Sequence, residues 1–462
     1  MVSFWQPNHH ETTIMMKSFQ RGIGLLILSA LLLFSHSVSA GQHRHHTPKT
    51  PLIFVHGGAG SASQFESQAM RLTSNGYPQK LLFALEYDSS FRIDTVDAVH
   101  NRLDQLISRV QAQTGASQVD VMGHSLGTYV LNGYLTSSPE RAANVAHYVN
   151  LDGYSAAAEP GGVPTLALWA EIGEGGHVGG AMNITVAGQT HVETATSAES
   201  FGYLYEFLTG KKPRSSTIRA SRRPFVSIAG RAVLFPYNIG VDGARVEVYE
   251  VDGTTGQRLR SFPKARFEID SSGEWGPFFG WAGAYYEFVI VREGQEHHIY
   301  KQPFLRDDHF VRLLTSAVGG GISANVDSAP EQSNLIISRD KEFWGERPLQ
   351  NDVLTINGIS VINAANSPFS NRTNVLYFFD QGSDGDSDLS QPIPYFHGLP
   401  FITGNDLFIP SSDKGDDRIR LTLTPRGGNG ALQVLNVPNW PSPEHRITVM
   451  FNDFVQDDSV PR

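Results

Sequence analysis

The chain has 462 residues, 40% of them hydrophobic, and a formal net charge of −10. This composition excludes a disordered chain, and the length is typical of two or three domains. The acidic balance argues against nucleic acid as a partner, because phosphate binding needs a basic surface. Cysteine is absent, so packing or bound ions must stabilise the fold in place of disulfides.

The amino-terminal segment has the pattern of a secretory signal. Lys17 and Arg21 precede an apolar run over residues 22–34, and small residues end at Ala40. We expect cleavage after Ala40, so that 1–40 is a signal peptide and the mature protein is secreted or periplasmic. The run is shorter than the ~20 residues of a membrane span, so we expect no transmembrane span after cleavage. An uncleaved anchor is the alternative.

Residues 52–210 follow a predicted linker at 41–51 and alternate short apolar strands with amphipathic helices. This alternation is typical of the βα units of a mostly parallel sheet, which predicts an α/β fold class. Helices are predicted over 94–110, where apolar residues recur every three or four positions, and over 197–208. The predicted strands are 52–55, 81–85, 119–122, 145–151, 164–169 and 182–186.

Beyond the basic stretch 211–216 the apolar period changes to two, which is typical of strands. The predicted strands are 245–251, 265–269, 285–291, 353–356, 359–362, 421–424, 432–437 and 447–451. Asn357 and Gly358 predict a tight hairpin turn. We expect a small β-sandwich over 224–305 and a second β-rich domain over 306–462, so all-β sandwich or barrel-like domains follow the α/β domain.

The strand at 119–122 runs into Gly123-His124-Ser125-Leu126-Gly127, which fits the G-x-S-x-G nucleophile elbow. The elbow holds a serine on a tight turn between a strand and a helix, and its glycines leave room where a Cβ would block the approach of neighbours. A five-residue pattern also occurs by chance, but the preceding strand favours Ser125 as a nucleophile.

A nucleophilic serine needs a base and a carboxylate that orients the base, in the chain order Ser, Asp or Glu, His. Asp152 follows the strand 145–151, at the sheet edge where Ser125 is expected, although an Asp-Gly pair there is also typical of a simple turn. His191 follows the last predicted strand and is our candidate base. His177, in the preceding Gly-rich loop, is the reserve.

The loop His56-Gly57-Gly58-Ala59-Gly60 follows the first strand. Its backbone N–H groups can turn toward the nucleophile, so Gly58 and Leu126 are the predicted oxyanion donors. A tight turn or a phosphate cradle are the alternatives, and the missing Lys-Ser/Thr ending counts against the cradle.

With these residues the chain resembles α/β-hydrolase lipases, and in particular two-part archaeal lipases whose C-terminal β domain is associated with lipid binding. The resemblance also runs through residues 56–68, 137–143, 151–153, 190–192, 306–308 and 380–389. It implies a triad of Ser125, Asp152 and His191 and oxyanion donors at Gly58 and Leu126. The large helical lid of those lipases is missing after the strand 81–85, which predicts an open cleft.

Asp380, Asp384, Asp386 and Asp388 lie at short spacing around Gly385, as in an oxygen-ligand loop for calcium. The stretch departs from the EF-hand pattern, and a solvated acidic turn is the alternative to a structural calcium site. No cofactor is expected to be required. A glycine-containing segment at 275–286 is rich in Trp, Phe and Tyr, which indicates core packing or a surface for lipid or polymer.

The sequence therefore predicts a secreted serine carboxylester hydrolase, a lipase or lipase-like esterase that forms an acyl-enzyme. The alternatives are a polyester depolymerase with the same triad and a non-catalytic lipid-binding protein on a hydrolase scaffold. Because residues 52–210 hold a complete catalytic set, we expect a chain that ends near Lys211 to keep turnover on soluble esters and to lose adsorption to lipid or polyester surfaces. The alternative is that the β domains cover apolar surface of the catalytic domain, in which case the shortened chain aggregates and loses both activities.

Overall fold

The computed structural model describes residues 49–347 and 350–455. The predicted signal peptide 1–40 and most of the predicted linker 41–51 lie outside the described residues.

Six parallel strands form the amino-terminal sheet, in the order β2-β1-β3-β4-β5-β6. They are β1 (Leu52–Val55), β2 (Leu82–Leu85), β3 (Val119–His124), β4 (Val145–Leu151), β5 (Thr165–Ile172) and β6 (Met182–Thr190). The predicted parallel α/β sheet is confirmed. The last two strands are longer than predicted because they continue to pair with each other, from Leu166 opposite Met182 to Ile172 opposite Thr190.

Helices pack on both faces of this sheet. They are α1 (Glu66–Ser74), α2 (Val96–Thr114), α3 (Leu126–Ser137), α4 (Pro139–Ala143), α5 (Glu193–Thr196) and α6 (Ala198–Thr209). Helix α2 begins after Thr95, whose side chain accepts the N–H of Ala98, and ends at Gly115 with a φ of 73°. Its apolar stripe is buried, as its sequence period predicts.

The remainder of the described chain is almost entirely β structure. Its strands are β7 (Phe225–Leu234), β8 (Ile239–Gly240), β9 (Arg245–Val251), β10 (Ala265–Glu268), β11 (Glu274–Trp281), β12 (Tyr285–Arg292), β13 (Gln295–Lys301), β14 (Asp308–Thr315), β15 (Leu335–Ser338), β16 (Val353–Ile356), β17 (Ile359–Ser360), β18 (Val375–Phe379), β19 (Ile402–Asp406), β20 (Arg418–Thr424), β21 (Gln433–Pro438) and β22 (His445–Met450). The predicted hairpin turn has φ values of 49° at Asn357 and 86° at Gly358, as a type I′ turn requires.

These strands build three sheets, which are mixed or antiparallel. One has the order β10-β9-β12-β13-β22-β15-β18-β19, a second joins β11, β7, β14 and β8, and the third is β17-β16-β20-β21. Strand β14 follows residue 306 and yet pairs with β7, while β22 inserts between β13 and β15. The sheets therefore do not separate at the predicted boundary between 224–305 and 306–462, because long-range pairing joins strands on both sides of it.

The hydrophobic core of the α/β sheet receives a residue from the β region. Phe310 of β14 is buried in the cluster that contains Phe54 and Phe65, and its ring meets Phe54 edge-on at 5.4 Å. Within the described ranges, no helix combines the length and apolarity that a bilayer crossing requires.

Candidate active site

Ser125 occupies a strained turn between β3 and α3. Its φ of 52° and ψ of −121° lie outside the regions that a side chain tolerates easily. Gly127 permits the turn, because a Cβ there would lie 2.2 Å from the carbonyl oxygen of Val55. A Cβ on Gly123 would lie 2.9 Å from the backbone of Gly127. The two glycines of the motif are therefore required by close backbone approach.

His191 and Asp152 form a hydrogen-bonded pair at the carboxyl edge of the sheet. The distance from His191 Nδ1 to Asp152 Oδ2 is 2.7 Å, and Asp152 Oδ1 accepts the N–H of Ala170 at 2.9 Å. Burial alone raises the pKa of Asp152, but these two hydrogen bonds outweigh it and hold the pKa below its ordinary value. The carboxylate thus stays ionised and favours the tautomer with the proton on Nδ1, which leaves Nε2 of His191 to accept a proton.

The turn after β4, which contains Asp152 and Gly153, packs closely against the Gly123–Gly127 elbow. The Ser125 N–H donates to the carbonyl of Leu151 at 3.0 Å. A Cβ on Gly153 would lie 2.0 Å from Thr128 Oγ1 and 2.6 Å from the carbonyl oxygen of Ser125. A side chain at position 153 would collide with the elbow. Gly153 therefore allows Asp152 to lie next to the elbow, which a simple turn would not require.

Two other histidines have different surroundings. His124, inside the elbow, is buried, and the distance from its Nε2 to the carbonyl oxygen of His191 is 2.9 Å. Burial lowers the pKa of His124 to about 3, so its ring stays neutral and supports the His191 backbone. His177, the reserve base, is exposed in the connection between β5 and β6.

The glycine loop after β1 lies against Ser125. A Cβ on Gly57 would lie 3.0 Å from the Cβ of Ser125, and one on Gly58 would lie 3.9 Å from the Leu126 side chain. The Gly57 N–H donates to Gln64 Oε1 at 3.0 Å, whereas the Gly58 N–H has no acceptor among the described residues. Gly58 and Leu126, at the start of α3, are thus brought together beside Ser125.

Residues of the β region hold this glycine loop. Asn238 Nδ2 donates to the carbonyl of Gly60 at 2.8 Å. Arg312 of β14 forms a buried ion pair with Glu86, with a distance of 2.5 Å from Nε to Oε1. Glu86 Oε1 also accepts the N–H of Ala62 at 3.1 Å. Sequence reasoning missed these contacts, because Asn238 and Arg312 carry no local signal for partners so distant in the chain.

Glu342 holds the loop that carries His191. Its carboxylate accepts the Thr190 hydroxyl at 2.7 Å and the Val192 N–H at 2.9 Å, so it binds the chain on both sides of the histidine. The side chain is almost completely buried. Glu342 is therefore a positioning residue supplied by the β region, and the sequence pattern gave no indication of it.

The cleft beside His191 has walls from both parts of the chain. Glu171, Ile172 and Gly173 line it from the end of β5 and the residue that follows. Trp344, Phe369, Ser370 and Arg372 line it from the β region. The site thus combines the strained Ser125 turn, the hydrogen-bonded pair of His191 and Asp152, and a partly apolar cleft.

Three of the four carboxylates of the candidate calcium loop accept hydrogen bonds from nearby backbone N–H groups. Asp380 is buried and accepts the N–H groups of Asp384 and Gly385 at 3.2 and 2.9 Å. Asp384 accepts the Asp386 N–H, and Asp388 accepts the Ser390 N–H. Calcium binding at Asp380, Asp384, Asp386 and Asp388 stays a prediction.

Three family models match this chain. The model of class 2 lipases matches residues 49–136, which contain the glycine loop and the elbow. The model of the lipase C-terminal domain matches residues 224–318. A third model, described as a C-terminal domain, matches residues 321–455.

Solved structures resemble parts or most of the chain at low identity. A gene product of Listeria innocua is 13% identical and aligns over 37% of this chain and 97% of its own, with a TM-score of 0.29. A predicted CIB-like hydrolase from Thermoplasma acidophilum is 14% identical over 36% of this chain and 89% of its own, with a TM-score of 0.28. Phospholipase PlaB from Legionella pneumophila is 8% identical over 90% of this chain and 97% of its own, with a TM-score of 0.22.

The family matches agree with the α/β sheet and with the elbow geometry at its carboxyl edge. The chain is an ester hydrolase, an α/β-hydrolase lipase with a C-terminal lipase domain.

Proposed function

We propose that this lipase acts through Ser125, His191 and Asp152 and forms an acyl-enzyme at Ser125. The observation that carries the proposal is the 2.7 Å hydrogen bond between His191 Nδ1 and Asp152 Oδ2 at the edge where the strained Ser125 turn ends β3. The pair supplies an oriented base, and the turn supplies the hydroxyl of a half-buried serine.

In the first half of the reaction, the Ser125 hydroxyl attacks the ester carbonyl and His191 Nε2 takes its proton. The N–H groups of Gly58 and Leu126 donate to the oxyanion that forms. Asp152 stabilises the positive charge on the imidazole ring without taking its proton. His191 then returns the proton to the leaving alcohol, and the acyl group stays on Ser125.

In the second half, water replaces the alcohol. His191 takes a proton from the water as it attacks the acyl carbonyl, and the same donors hold the second oxyanion. The carboxylic acid leaves, and His191 returns the proton to the Ser125 oxygen. Each N–H donor to the oxyanion is worth roughly 10²–10³ in rate.

We propose a lipid ester as the substrate, which the two lipase domain matches support. Phe225, Phe279 and Trp281 are exposed on neighbouring strands β7 and β11, and the rings of Phe225 and Trp281 lie 4.0 Å apart. Exposed aromatic side chains of this kind suit an apolar surface. A polyester depolymerase is the second candidate, since the connection from β2 to α2 is a short loop and holds no large lid.

We also propose that residues 1–40 direct secretion. A protein recovered from the culture medium or periplasm whose first residue is Gly41 supports this proposal. A protein that keeps residues 1–40 and stays inside the cell contradicts it.

The central test is ester hydrolysis by Ser125→Ala and His191→Ala, with His177→Ala as the matched histidine control. Loss of a triad residue typically lowers kcat by roughly 10⁴–10⁶-fold, and we expect this for the first two variants and not for the third. Rates on an ester chain-length series, emulsified triglyceride and polyester film identify the substrate class.

Normal turnover by a contaminant-free Ser125→Ala preparation would contradict the mechanism. Loss of activity in His177→Ala with activity retained in His191→Ala would move the base to His177. An inactive wild-type chain that still adsorbs to lipid would favour the non-catalytic alternative.

A further inference from the structure

Three side chains of ligand type meet on the eight-stranded sheet. Glu296 and His298 belong to β13, and His445 is the first residue of the adjacent strand β22, opposite Glu296 in the register. Within the described residues, this is the one group of three or more His and carboxylate side chains close enough to share an ion.

We propose that His298 Nε2, His445 Nδ1 and Glu296 Oε2 bind one Zn²⁺ or a similar divalent transition-metal ion, with water at the open position. The set of two imidazoles and one carboxylate suits such ions. Calcium and magnesium favour sites made of oxygen ligands alone. The site is separate from the residues that we assign to ester hydrolysis.

The spacing of the three ligand atoms fits a metal ion. His298 Nε2 lies 2.9 Å from His445 Nδ1, and Glu296 Oε2 lies 3.6 Å from the first nitrogen and 3.8 Å from the second. A point equidistant from these atoms lies about 2.0 Å from each of them, which is the length of zinc bonds to histidine nitrogen and carboxylate oxygen.

The outer hydrogen bonds orient His298 as a ligand. Its Nδ1 lies 2.6 Å from Glu287 Oε1, and Glu287 also accepts from Arg258 Nε at 2.6 Å and from the Tyr300 hydroxyl at 2.9 Å. Because Arg258 and Tyr300 also donate to this carboxylate, Glu287 is the acceptor for the proton of His298 Nδ1. The lone pair of Nε2 then faces the other two ligands, as is typical of metal-bound histidine.

A simple histidine–histidine hydrogen bond does not account for Glu296. Such a bond explains the 2.9 Å contact between His298 and His445. It leaves Glu296 Oε2 at distances beyond a hydrogen bond from both nitrogens, and among the described residues this carboxylate has no other ion-pair partner. An ion explains all three distances together.

The site is open on one side. The His298 side chain is fully buried, that of His445 is 17% exposed and that of Glu296 is 41% exposed, so an ion and its water can enter from solvent. Trp440 forms the opposite wall, with its ring 4.9 Å from each imidazole. A bound metal would link β13 to β22, two strands that are far apart in the sequence. The chain has no cysteine and therefore no disulfide that could link them.

The test measures metal binding by the tag-free full chain after treatment with a chelator. Equilibrium dialysis with Zn²⁺ and the visible absorption of bound Co²⁺ are compared between wild type, Glu296→Gln and His445→Ala, with the exposed His397→Ala as control. Glu296 is partly exposed, so its variant is expected to fold even if His445→Ala does not. His43, His45 and His46 are present in every variant, so differences between variants report on this site alone.

We expect one Zn²⁺ equivalent that binds at least about tenfold more weakly in both ligand variants and normally in His397→Ala. Zn²⁺ should also raise the Tm of wild type, since an ion that binds only the folded state stabilises it. Zn²⁺ and Co²⁺ binding equal to wild type in Glu296→Gln, or binding no stronger than that of Mg²⁺, would overturn the proposal.

Discussion

Glu342 shows how one residue outside the α/β domain controls the geometry of the candidate base. It binds Thr190 and Val192, the two neighbours of His191, while the adjacent Lys341 forms an ion pair of 2.6 Å with Glu193. The loop of the base is therefore fixed by side chains that follow it by about 150 positions in the chain. Misplacement of a catalytic group by about 1 Å can lower the rate by ~10²-fold.

We predict that Glu342→Gln lowers kcat for a soluble ester by about 10–100-fold with little change in KM. The amide keeps the volume of Glu342 but loses the charged acceptor that holds both contacts. Steady-state kinetics well below the Tm measure the effect, and the exposed Glu331→Gln is the control. A kcat equal to wild type would mean that His191 keeps its place without Glu342.

At the scale of elements, glycines that look alike in the sequence have different roles. Gly127 in α3 faces the backbone of Val55 at a distance that no Cβ can occupy. Gly202 in α6 has nothing within 4 Å of the place of its Cβ. The first glycine is therefore a packing requirement, while the second only lowers helix stability.

We predict opposite effects for alanine at these two glycines. Gly202→Ala should raise the free energy of unfolding by about 0.5–1 kcal/mol, because alanine has less freedom to lose in a helix. Gly127→Ala should lower it by about 1–3 kcal/mol or more through overpacking and should abolish ester hydrolysis. Denaturant unfolding and an ester assay measure both variants. Normal activity in Gly127→Ala would show that the elbow can shift without cost.

At the scale of the whole molecule, the β region completes the α/β domain. Phe310 enters its core, Asn238 binds the glycine loop at Gly60, Arg312 binds Glu86 beside that loop, and Glu342 binds both neighbours of His191. The sequence predicted that residues 52–210 hydrolyse soluble esters without the β region. These contacts favour the opposite outcome.

We predict that a chain ending near Lys211 aggregates and loses turnover even on short soluble esters. Removal of the β region exposes the apolar surface around Phe54 and releases both active-site loops, and large exposed apolar patches promote association. Soluble yield, size-exclusion chromatography and a short-chain ester assay measure this. A soluble monomer with wild-type turnover would show that the β region serves substrate capture alone.

A buried ion pair in the β region should make stability depend on acid pH. Asp352 accepts from Arg339 at 2.7 Å and from Arg426 at 2.9 Å. Burial alone raises the pKa of Asp352, but the two guanidinium groups lower it to about 2 from an ordinary value of 3.8. Because the pKa is lower in the folded state, the stabilisation is present above about pH 4 and is lost as the pH falls toward about 2.

We therefore predict that Asp352→Asn is less stable than wild type at neutral pH and that the gap narrows by roughly 2 kcal/mol between about pH 4 and about pH 2. The measurement is the free energy of unfolding in urea for both proteins across this range. A constant gap would mean that Asp352 titrates normally in the folded state.

The sequence by itself determined the α/β sheet, the elbow and the chain order of the candidate triad. These features have local signals: apolar runs mark β1 and β4, glycines at fixed spacing surround Ser125, and Asp152 and His191 each follow a strand. Since parallel strands end at one edge, such signals also predict that these side chains meet. The 2.7 Å contact between His191 and Asp152 agrees with that expectation.

Only the tertiary structure decided which β residues reach the site and how the β strands pair. Glu342, Asn238 and Arg312 contact segments that are distant in the chain. The sequence around a buried charged residue does not indicate which residue is its partner. Strand β22 lies between β13 and β15 because long-range pairing depends on which edges remain open when the chain folds. The meeting of Glu296, His298 and His445 has the same origin, since only that pairing brings the last strand beside β13.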